Sequence, residues 1–461
     1  MNINDLNAVY FIGAGGIGMS ALVRYFLSRK LTVGGYDRTS TQLTETLEKE
    51  GALLHYDDNT DHIQQTFLDK EHTLVVITPA IPESHSELQF FRREGFTLMK
   101  RAQVLGMLTR ASKGLCVAGT HGKTTTSAML AHLLHQSHVG CTAFLGGISQ
   151  NYGTNLLLSD KSPYTVIEAD EFDRSFHQLT PYMSVITSTD PDHLDIYGTK
   201  EAYLESFEHY SSLISPDGVL LMHCGLEMKQ RVQAGVRIFT YALHEGDFHA
   251  ENIRIGNGEI RFDFVGPDVR IDDIELGVPV SINIENGIAA IALAWLNGAN
   301  AEEIKCGMAS FQGVERRFDF KIRTRQHAFL SDYAHHPEEI RMSIRSVKEL
   351  YKDRKVTVAF QPHLYTRTRD LYRDFAESLS LADELILLDI YPARELPIEG
   401  VSSDLIYNRL RPDQPKCRCT KDELLDVLRA RNPEVLMILG AGDIDNLAPA
   451  IEQLMHEKMQ A

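Results

Sequence analysis

Residues Gly119-Thr120-His121-Gly122-Lys123-Thr124-Thr125 place a turn, a cation and hydroxyls directly after an apolar run, Leu115–Ala118. Together these residue types suit phosphate chemistry. Glycines let backbone amides turn inward, and a helix starting here would aim its free N–H groups at an anion. Lys123 can reach terminal phosphates, and the Thr124 hydroxyl can ligate Mg²⁺. The spacing is shorter than the general G-x-x-x-x-G-K-[ST] form. A plain Gly/Thr-rich turn is the competing reading; the flanking strand and the Lys-Thr-Thr run weigh against it.

Two acidic runs follow. Glu168-Ala169-Asp170-Glu171 closes one apolar stretch, and Asp190-Pro191-Asp192-His193-Leu194-Asp195 follows another. Either alone reads as a solvated loop. Beside a phosphate loop in the same segment, carboxylates and an imidazole at strand ends read as ligands of a metal–nucleotide complex. Near the N-terminus, Gly13, Gly15, Gly16 and Gly18 sit in a G-x-G-x-x-G turn, with Asp37 at the end of the next predicted strand. That spacing suits a diphosphate at a helix start and a carboxylate near a ribose. NAD, FAD or a UDP-sugar would each satisfy it, and glycines also serve tight strand–helix packing. Toward the C-terminus, Asp332-Tyr333-Ala334-His335-His336-Pro337 and Gln361-Pro362-His363-Leu364-Tyr365-Thr366-Arg367-Thr368-Arg369 each follow a predicted strand. Arg367 and Arg369 could clamp a carboxylate or phosphate. Paired histidines are often structural. The arginines of Gly313-Val314-Glu315-Arg316-Arg317-Phe318 read either as surface charge or as a hinge contact to ATP.

The elements that must position these loops alternate strand and helix, which predicts α/β architecture with parallel sheets. We read three domains. Residues 1–108 form a Rossmann-like domain, 109–312 a central domain of the P-loop ATPase type, and 313–461 a second Rossmann-like domain. The stretch from Val236 to Val280 alternates more and is expected to hold an antiparallel part.

With 461 residues the chain is long enough for two to four domains. A net charge of −17 argues against nucleic acid as a partner, because phosphate backbones need a basic face. Any nucleotide must then be held by local donors rather than by the global field. No stretch is long and apolar enough to span a membrane, and the first residues lack the pattern of a secretory signal. Cys417 and Cys419 are the only close cysteine pair and read as ordinary strand or loop residues, which fits a reducing cytoplasm.

Taken in order, these motifs resemble the Mur ligase family over essentially the whole chain. The resemblance rests on the glycine turn with Met19-Ser20, the GTHGKTTT loop, Glu168-Ala169-Asp170-Glu171 and Asp192-His193-Leu194-Asp195. It extends through Ser310-Phe311-Gln312-Gly313, Arg316-Arg317-Phe318-Asp319-Phe320, the Asp332–Pro337 loop and Phe360-Gln361-Pro362-His363. It implies ATP-dependent ligation of L-alanine to the lactyl carboxylate of UDP-N-acetylmuramate, a step of peptidoglycan precursor synthesis. The first domain would bind the UDP-substrate through Gly13, Gly15, Gly16, Gly18, Met19, Ser20 and Asp37. The second would bind Mg-ATP. Here Gly119, Thr120, His121, Gly122, Lys123, Thr124 and Thr125 would hold phosphates, with Asn283 and Asn286 near the adenine. Arg316 or Arg317, together with Asp332, would reach the same nucleotide. Thr124, Glu168 and His193 would ligate magnesium. The third domain would hold the amino acid through Tyr333, His335, His363 and Arg367 and close over the other two. Lys123, His193 and Arg367 are the candidate catalytic residues. Four positions depart from the family pattern: Ser188 and Ile282, where Asn and His are common, Leu364, where Arg is common, and Phe172, where Ser is common. An aromatic at the last position is a trait of members that reattach a recycled tripeptide. That activity is one alternative; a nucleotide-dependent oxidoreductase, suggested by the first glycine turn alone, is the other.

Overall fold

The computed structural model describes residues 3–256, 258–324, 327–393 and 395–460, with the side chains of Asn4, Leu194, Asp195 and Gln460 outside the description. The chain divides into two compact units. One comprises Met1–His249, Val265–Val269 and Asn286–Gly307; the other comprises Ala250–Phe264, Arg270–Glu285 and Met308–Ala461.

The first unit contains two parallel-type sheets. Strands β1 (Ala8–Ile12), β2 (Thr32–Tyr36), β3 (Leu53–His55), β4 (Thr73–Ile77) and β5 (Thr97–Lys100) form a five-stranded sheet in the order β3-β2-β1-β4-β5. Every residue of β1 is buried, as expected for a central strand covered on both faces. The chain leaves β1 toward β2 and returns on its other side as β4. The glycine turn after Ile12 therefore lies at the switch point where open sheets bind ligands.

The second sheet of this unit has seven strands. They are β6 (Lys113–Ala118), β7 (Thr142–Ser149), β8 (Thr154–Leu157), β9 (Tyr164–Ala169), β10 (Pro181–Ile186), β11 (Val219–His223) and β12 (Arg237–Tyr241), ordered β12-β11-β10-β6-β9-β7-β8. Only the β7–β8 pair is antiparallel. Register brings Ala118 of β6 level with Ala169 of β9 and Ile186 of β10, so the loops after these three strands start at one height. One hydrophobic core runs through both sheets, from Phe11 and Phe26 through Phe144 and Ile167 to Phe207.

The second unit holds most of a three-stranded sheet, β13 (His249–Gly256), β14 (Glu259–Gly266) and β15 (Val269–Glu275), within the stretch where alternation was read. It also holds a six-stranded sheet: β16 (Asp319–Arg323), β17 (Ala328–Asp332), β18 (Val356–Phe360), β19 (Glu384–Leu388), β20 (Lys416–Cys419) and β21 (Val435–Leu439). Its order is β16-β17-β21-β18-β19-β20, with β16 antiparallel at the edge. Asp332, Phe360 and Leu439 are level, so the loops after β17, β18 and β21 leave the sheet together. Cys417 and Cys419 lie in edge strand β20 as free thiols. Among the described residues no helix is long and apolar enough to cross a membrane.

Candidate active site

The phosphate loop links β6 to the helix Lys123–Gln136. Two of its glycines are conformationally required. Gly119 has φ +135° and a Cβ there would overlap Thr187 Oγ1; Gly122 has φ +80° and caps the helix without a side-chain hydrogen bond. First-turn amides of that helix are therefore open to an anion. The loop is braced from the end of β10: the His121 amide donates to Ser188 Oγ (2.8 Å) and Thr120 Oγ1 to the Asp190 carbonyl (2.7 Å). Ser188, a departure from the family pattern, thus holds the loop directly. Asn286 Oδ1 accepts from Thr126 Oγ1 (3.1 Å), which places Asn286 against the same helix.

Lys123 Nζ donates to the Gly119 carbonyl (2.5 Å) and pairs with Glu171 Oε2 at 2.8 Å. Glu171 is only 2% exposed; burial pushes its carboxyl above the ordinary value, and the Lys123 ammonium pulls it back. Thr124 Oγ1 donates to both oxygens of Glu168 at 3.0–3.1 Å. Gly146 on β7 makes room for that carboxylate, since a Cβ there would overlap Glu168 Oε2. His193 has φ +53° and lies 4.0 Å from Glu171 and 3.7 Å from Asp192, with its ring edge-on to Phe172. Thr124 and Glu168 are therefore brought together, while His193 stands beside Glu171. Among the described residues no group of three or more His, Cys, Asp or Glu is gathered as a ready-made metal cage. The hydroxyl and carboxylate oxygens of Thr124 and Glu168 nevertheless fit Mg²⁺, which takes few protein ligands and completes its shell with phosphate and water.

In the N-terminal sheet, the Gly15 amide donates to Asp37 Oδ2 (2.6 Å), so the predicted ribose carboxylate anchors the turn itself. Gly16 precedes the helix Ile17–Ser28 as its N-cap, without a side-chain cap bond. A Cβ on Gly13 would overlap Thr78 Cγ2, and one on Gly18 would overlap the Arg101 guanidinium. Arg101 was not singled out by sequence, because nothing local marks its approach from the helix Arg101–Ala111. It also faces Asp170 at 3.6 Å. Met19 and Ser20 are both buried, Met19 in the core and Ser20 accepting from Asn155 Nδ2 (2.9 Å). They lie on the inward face of their helix and pack it against the core.

On the second unit, Arg367 lies in the first turn of the helix Tyr365–Leu379. Its Nη1 is buried without a hydrogen-bond partner among the described residues, an arrangement suited to a carboxylate. Leu364, just before it, has φ +72°, an unusual conformation for a branched residue. His335 Nδ1 lies 3.0 Å from the Tyr333 carbonyl, and its ring centroid is 6.2 Å from that of His363. Burial lowers the His335 pKa, partly opposed by Glu339 and reinforced by Arg367. These residues thus cluster as their loops predict. Three others are engaged internally. Asp332 is 6% exposed and accepts from Ser343 Oγ. Asn283 Nδ2 donates to the Val278 carbonyl (3.3 Å). Arg316 holds the Gly442 carbonyl (3.0 Å) and Asp445 (3.3 Å) and lies over the Tyr333 ring.

Fold and loop define a multidomain α/β protein of the phosphate-loop class. Family models match three successive stretches: the Mur ligase family catalytic domain over residues 8–113, the Mur ligase middle domain over 117–294, and the Mur ligase glutamate ligase domain over 316–442. The chain belongs to the Mur ligase family. It is 67% identical to the UDP-N-acetylmuramate–L-alanine ligase of Phocaeicola vulgatus, covering 99% of this chain and 100% of the relative. It is 62% identical to the enzyme of that name from Parabacteroides distasonis, covering both chains entirely. Among solved structures, the UDP-N-acetylmuramate-alanine ligase of Thermotoga maritima superposes with a TM-score of 0.82 at 27% identity, covering 98% of this chain and 99% of the other. The murein peptide ligase of Psychrobacter arcticus shares the fold with a TM-score of 0.67 at 20% identity, covering 97% and 98%.

Proposed function

We propose that this protein ligates L-alanine to the lactyl carboxylate of UDP-N-acetylmuramate, consuming ATP and releasing ADP and phosphate, in the cytoplasm. The observation that carries the reading is the open phosphate loop, with Lys123 against Glu171 and Thr124 on Glu168, in a chain 67% identical end to end to a ligase of that name. In this reading residues 1–108 bind the UDP-substrate, 109–312 bind ATP and 313–461 hold the amino acid.

A carboxylate is a poor acyl donor because its leaving group would be oxide. Transfer of the γ-phosphoryl group to it gives an acyl phosphate, which the alanine amine attacks through a tetrahedral intermediate with expulsion of phosphate. The protein supplies position and charge rather than covalent chemistry. Lys123 exchanges Glu171 for the terminal phosphates and steadies charge as it develops. The open amides of the helix starting at Lys123 hold the remaining phosphate oxygens. Thr124 and Glu168, with His193 nearby, would hold Mg²⁺, which supplies charge neutralisation between phosphates when bound. Arg367 orients the alanine carboxylate. Burial lowers the His335 pKa, which disfavours a second cation beside the amino group of the incoming alanine.

Phe172 alone favoured tripeptide recycling, and its edge-on contact with His193 gives it a local role without that activity. The glycine turn alone favoured an oxidoreductase and leaves the phosphate loop unexplained. The test is mass-spectrometric detection of product from UDP-N-acetylmuramate and ATP with alanine, glycine, serine or the tripeptide as amine. Alanine should be the best acyl acceptor. Product from the tripeptide but not from alanine would overturn the reading.

A further inference from the structure

The second unit contains a cavity of about 830 Å³ that the ligation chemistry does not use. Its walls come from the turn between β13 and β14 (Gly256, Gly258), the end of β16 (Arg323) and the C-terminal end of the helix Pro337–Leu350 with the following turn (Tyr351, Arg354). The volume falls in the range of small-molecule sites.

Two buried polar atoms in this wall have no hydrogen-bond partner among the described residues: the Tyr351 hydroxyl and Arg354 Nη1. Tyr351 is only 8% exposed, and its hydroxyl reaches toward the β13–β14 turn, 3.9 Å from where a Cβ on Gly258 would stand. Buried donors are seldom left unpaired, because each forfeits its hydration without compensation. Both atoms can donate. The backbone turn in which the Arg354 amide donates to the Tyr351 carbonyl (3.0 Å) fixes the two residues relative to one another. Arg354 lies 5.8 Å from the Tyr351 ring centroid.

The charge inventory gives the sign of the missing partner. Arg323 spends its N–H groups on the carbonyls of Gly258 (2.6 Å) and Gly277 (3.1 Å), which hold it in the wall but do not neutralise it. Neither Arg323 nor Arg354 has a carboxylate partner among the ion pairs of the described residues. Of the carboxylates in the lining, Glu349 accepts from Ser281 Oγ (2.5 Å), Glu259 faces Arg261 (3.8 Å), and Asp353 is exposed to solvent, as is its neighbour Lys352. Burial holds the Tyr351 phenol above its ordinary pKa, while the charges of Arg323 and Arg354 oppose the rise, so both guanidiniums act on the hydroxyl. The C-terminal end of the helix contributes partial negative charge, which two guanidiniums outweigh.

We propose that this cavity is a second ligand site, taking a small molecule that presents a carboxylate or phosphate to Tyr351 Oη and Arg354. The acceptor oxygens satisfy both orphaned donors, and the remaining volume holds the body of the molecule. The site is independent of the phosphate loop and of the ligation reading.

The test is equilibrium dialysis of the full-length protein against radiolabelled inorganic phosphate and, separately, radiolabelled citrate. It uses wild type, Lys123→Ala, Tyr351→Phe and Arg354→Gln, with matched thermal unfolding to confirm folding. Lys123→Ala removes the main cation of the phosphate loop, so binding that survives it reports the second site. Saturable binding of either probe should persist in Lys123→Ala and weaken at least tenfold in Tyr351→Phe and Arg354→Gln, which keep normal ligation. The probe that binds tells phosphate from carboxylate. Absence of saturable binding of both probes, or binding abolished by Lys123→Ala and untouched by Arg354→Gln, would overturn the proposal.

Discussion

Lys123 is held by its own loop and by a buried carboxylate, so its charge is stored rather than solvated. Swapping Glu171 for phosphate costs less than stripping water from a free ammonium, because the desolvation has already been met in folding. Replacing Lys123 by Ala should lower ligation by about a thousandfold or more, in line with the loss of a principal donor to a developing charge. The melting temperature should fall as well, because Glu171 is left buried without its cation, and cooperative thermal unfolding confirms that the variant is folded. Near-normal turnover in steady-state kinetics would remove Lys123 from the site. Arg367 makes a different demand. Its Nη1 is buried and unbonded among the described residues, and one charge-assisted contact is worth roughly 1.5–3 kcal/mol. Arg367→Ala should therefore raise the KM for alanine by about tenfold to a hundredfold and leave that for ATP nearly unchanged. An unaltered alanine KM would place the amino acid elsewhere.

At the scale of elements, the helix Lys123–Gln136 ties the phosphate loop to the core. His132 on it is 2% exposed and its Nδ1 lies 2.8 Å from the Tyr152 hydroxyl. Burial, with a smaller contribution from His135, pushes its pKa down to about 4. The unfolded chain, with a value near 6.5, then binds the extra proton more readily over the window between the two. Stability from this group is complete above about pH 6.5 and is lost as pH falls toward 4, on the order of 3 kcal/mol. Urea denaturation at pH 7 and pH 4.5 should show a smaller acid loss in His132→Gln than in the wild type. Equal losses would mean that His132 is not the titrating group. The joining of the two sheets in the first unit rests on another element contact. Asn155 of β8 donates to the Ile17 carbonyl (2.6 Å) and to Ser20 Oγ (2.9 Å), and accepts from Arg24 (2.6 Å). Asn155→Ala removes three hydrogen bonds, while Ser20 Oγ still donates to the Ile17 carbonyl (2.8 Å) and Arg24 still pairs with Glu50 (2.8 Å); the loss should cost about 1–3 kcal/mol in denaturant unfolding. Because Ile17 opens the helix after the glycine turn, the KM for the UDP-substrate should rise while that for ATP does not. A rise in both, or in neither, would uncouple Asn155 from that turn.

Over the whole molecule, a net charge of −17 leaves nucleotide binding to local donors, and the structure supplies them as helix starts, loop amides and single cations. Much of this was legible in the sequence. The phosphate loop and the first glycine turn are local patterns, and both fall at strand ends, where alternating β and α runs predict them. The loops after Asp332 and Phe360 were legible for the same reason. Pairing across the chain was less so. Edge strand β16 runs antiparallel, and β20, carrying Cys417 and Cys419, is short and lies at the sheet edge, so its residues lack the continuous apolar run of a central strand. Facing was the other gap. Met19, Ser20 and Asp332 sit in motifs, but which side of an element meets the core is decided by partners distant in sequence. Arg101 against Gly18 and Glu171 against Lys123 are likewise tertiary pairings, and only Glu171 left a trace, three residues beyond Glu168.

The central claim is that ATP cleavage here is spent on activating one carboxylate for one amine. Its most direct test is to follow ADP and UDP-N-acetylmuramoyl-L-alanine together, with each substrate omitted in turn. One ADP should form per ligated product, and sustained ADP production should require both UDP-N-acetylmuramate and L-alanine. Sustained ADP release without the UDP-substrate, or product formed without ADP, would contradict the account.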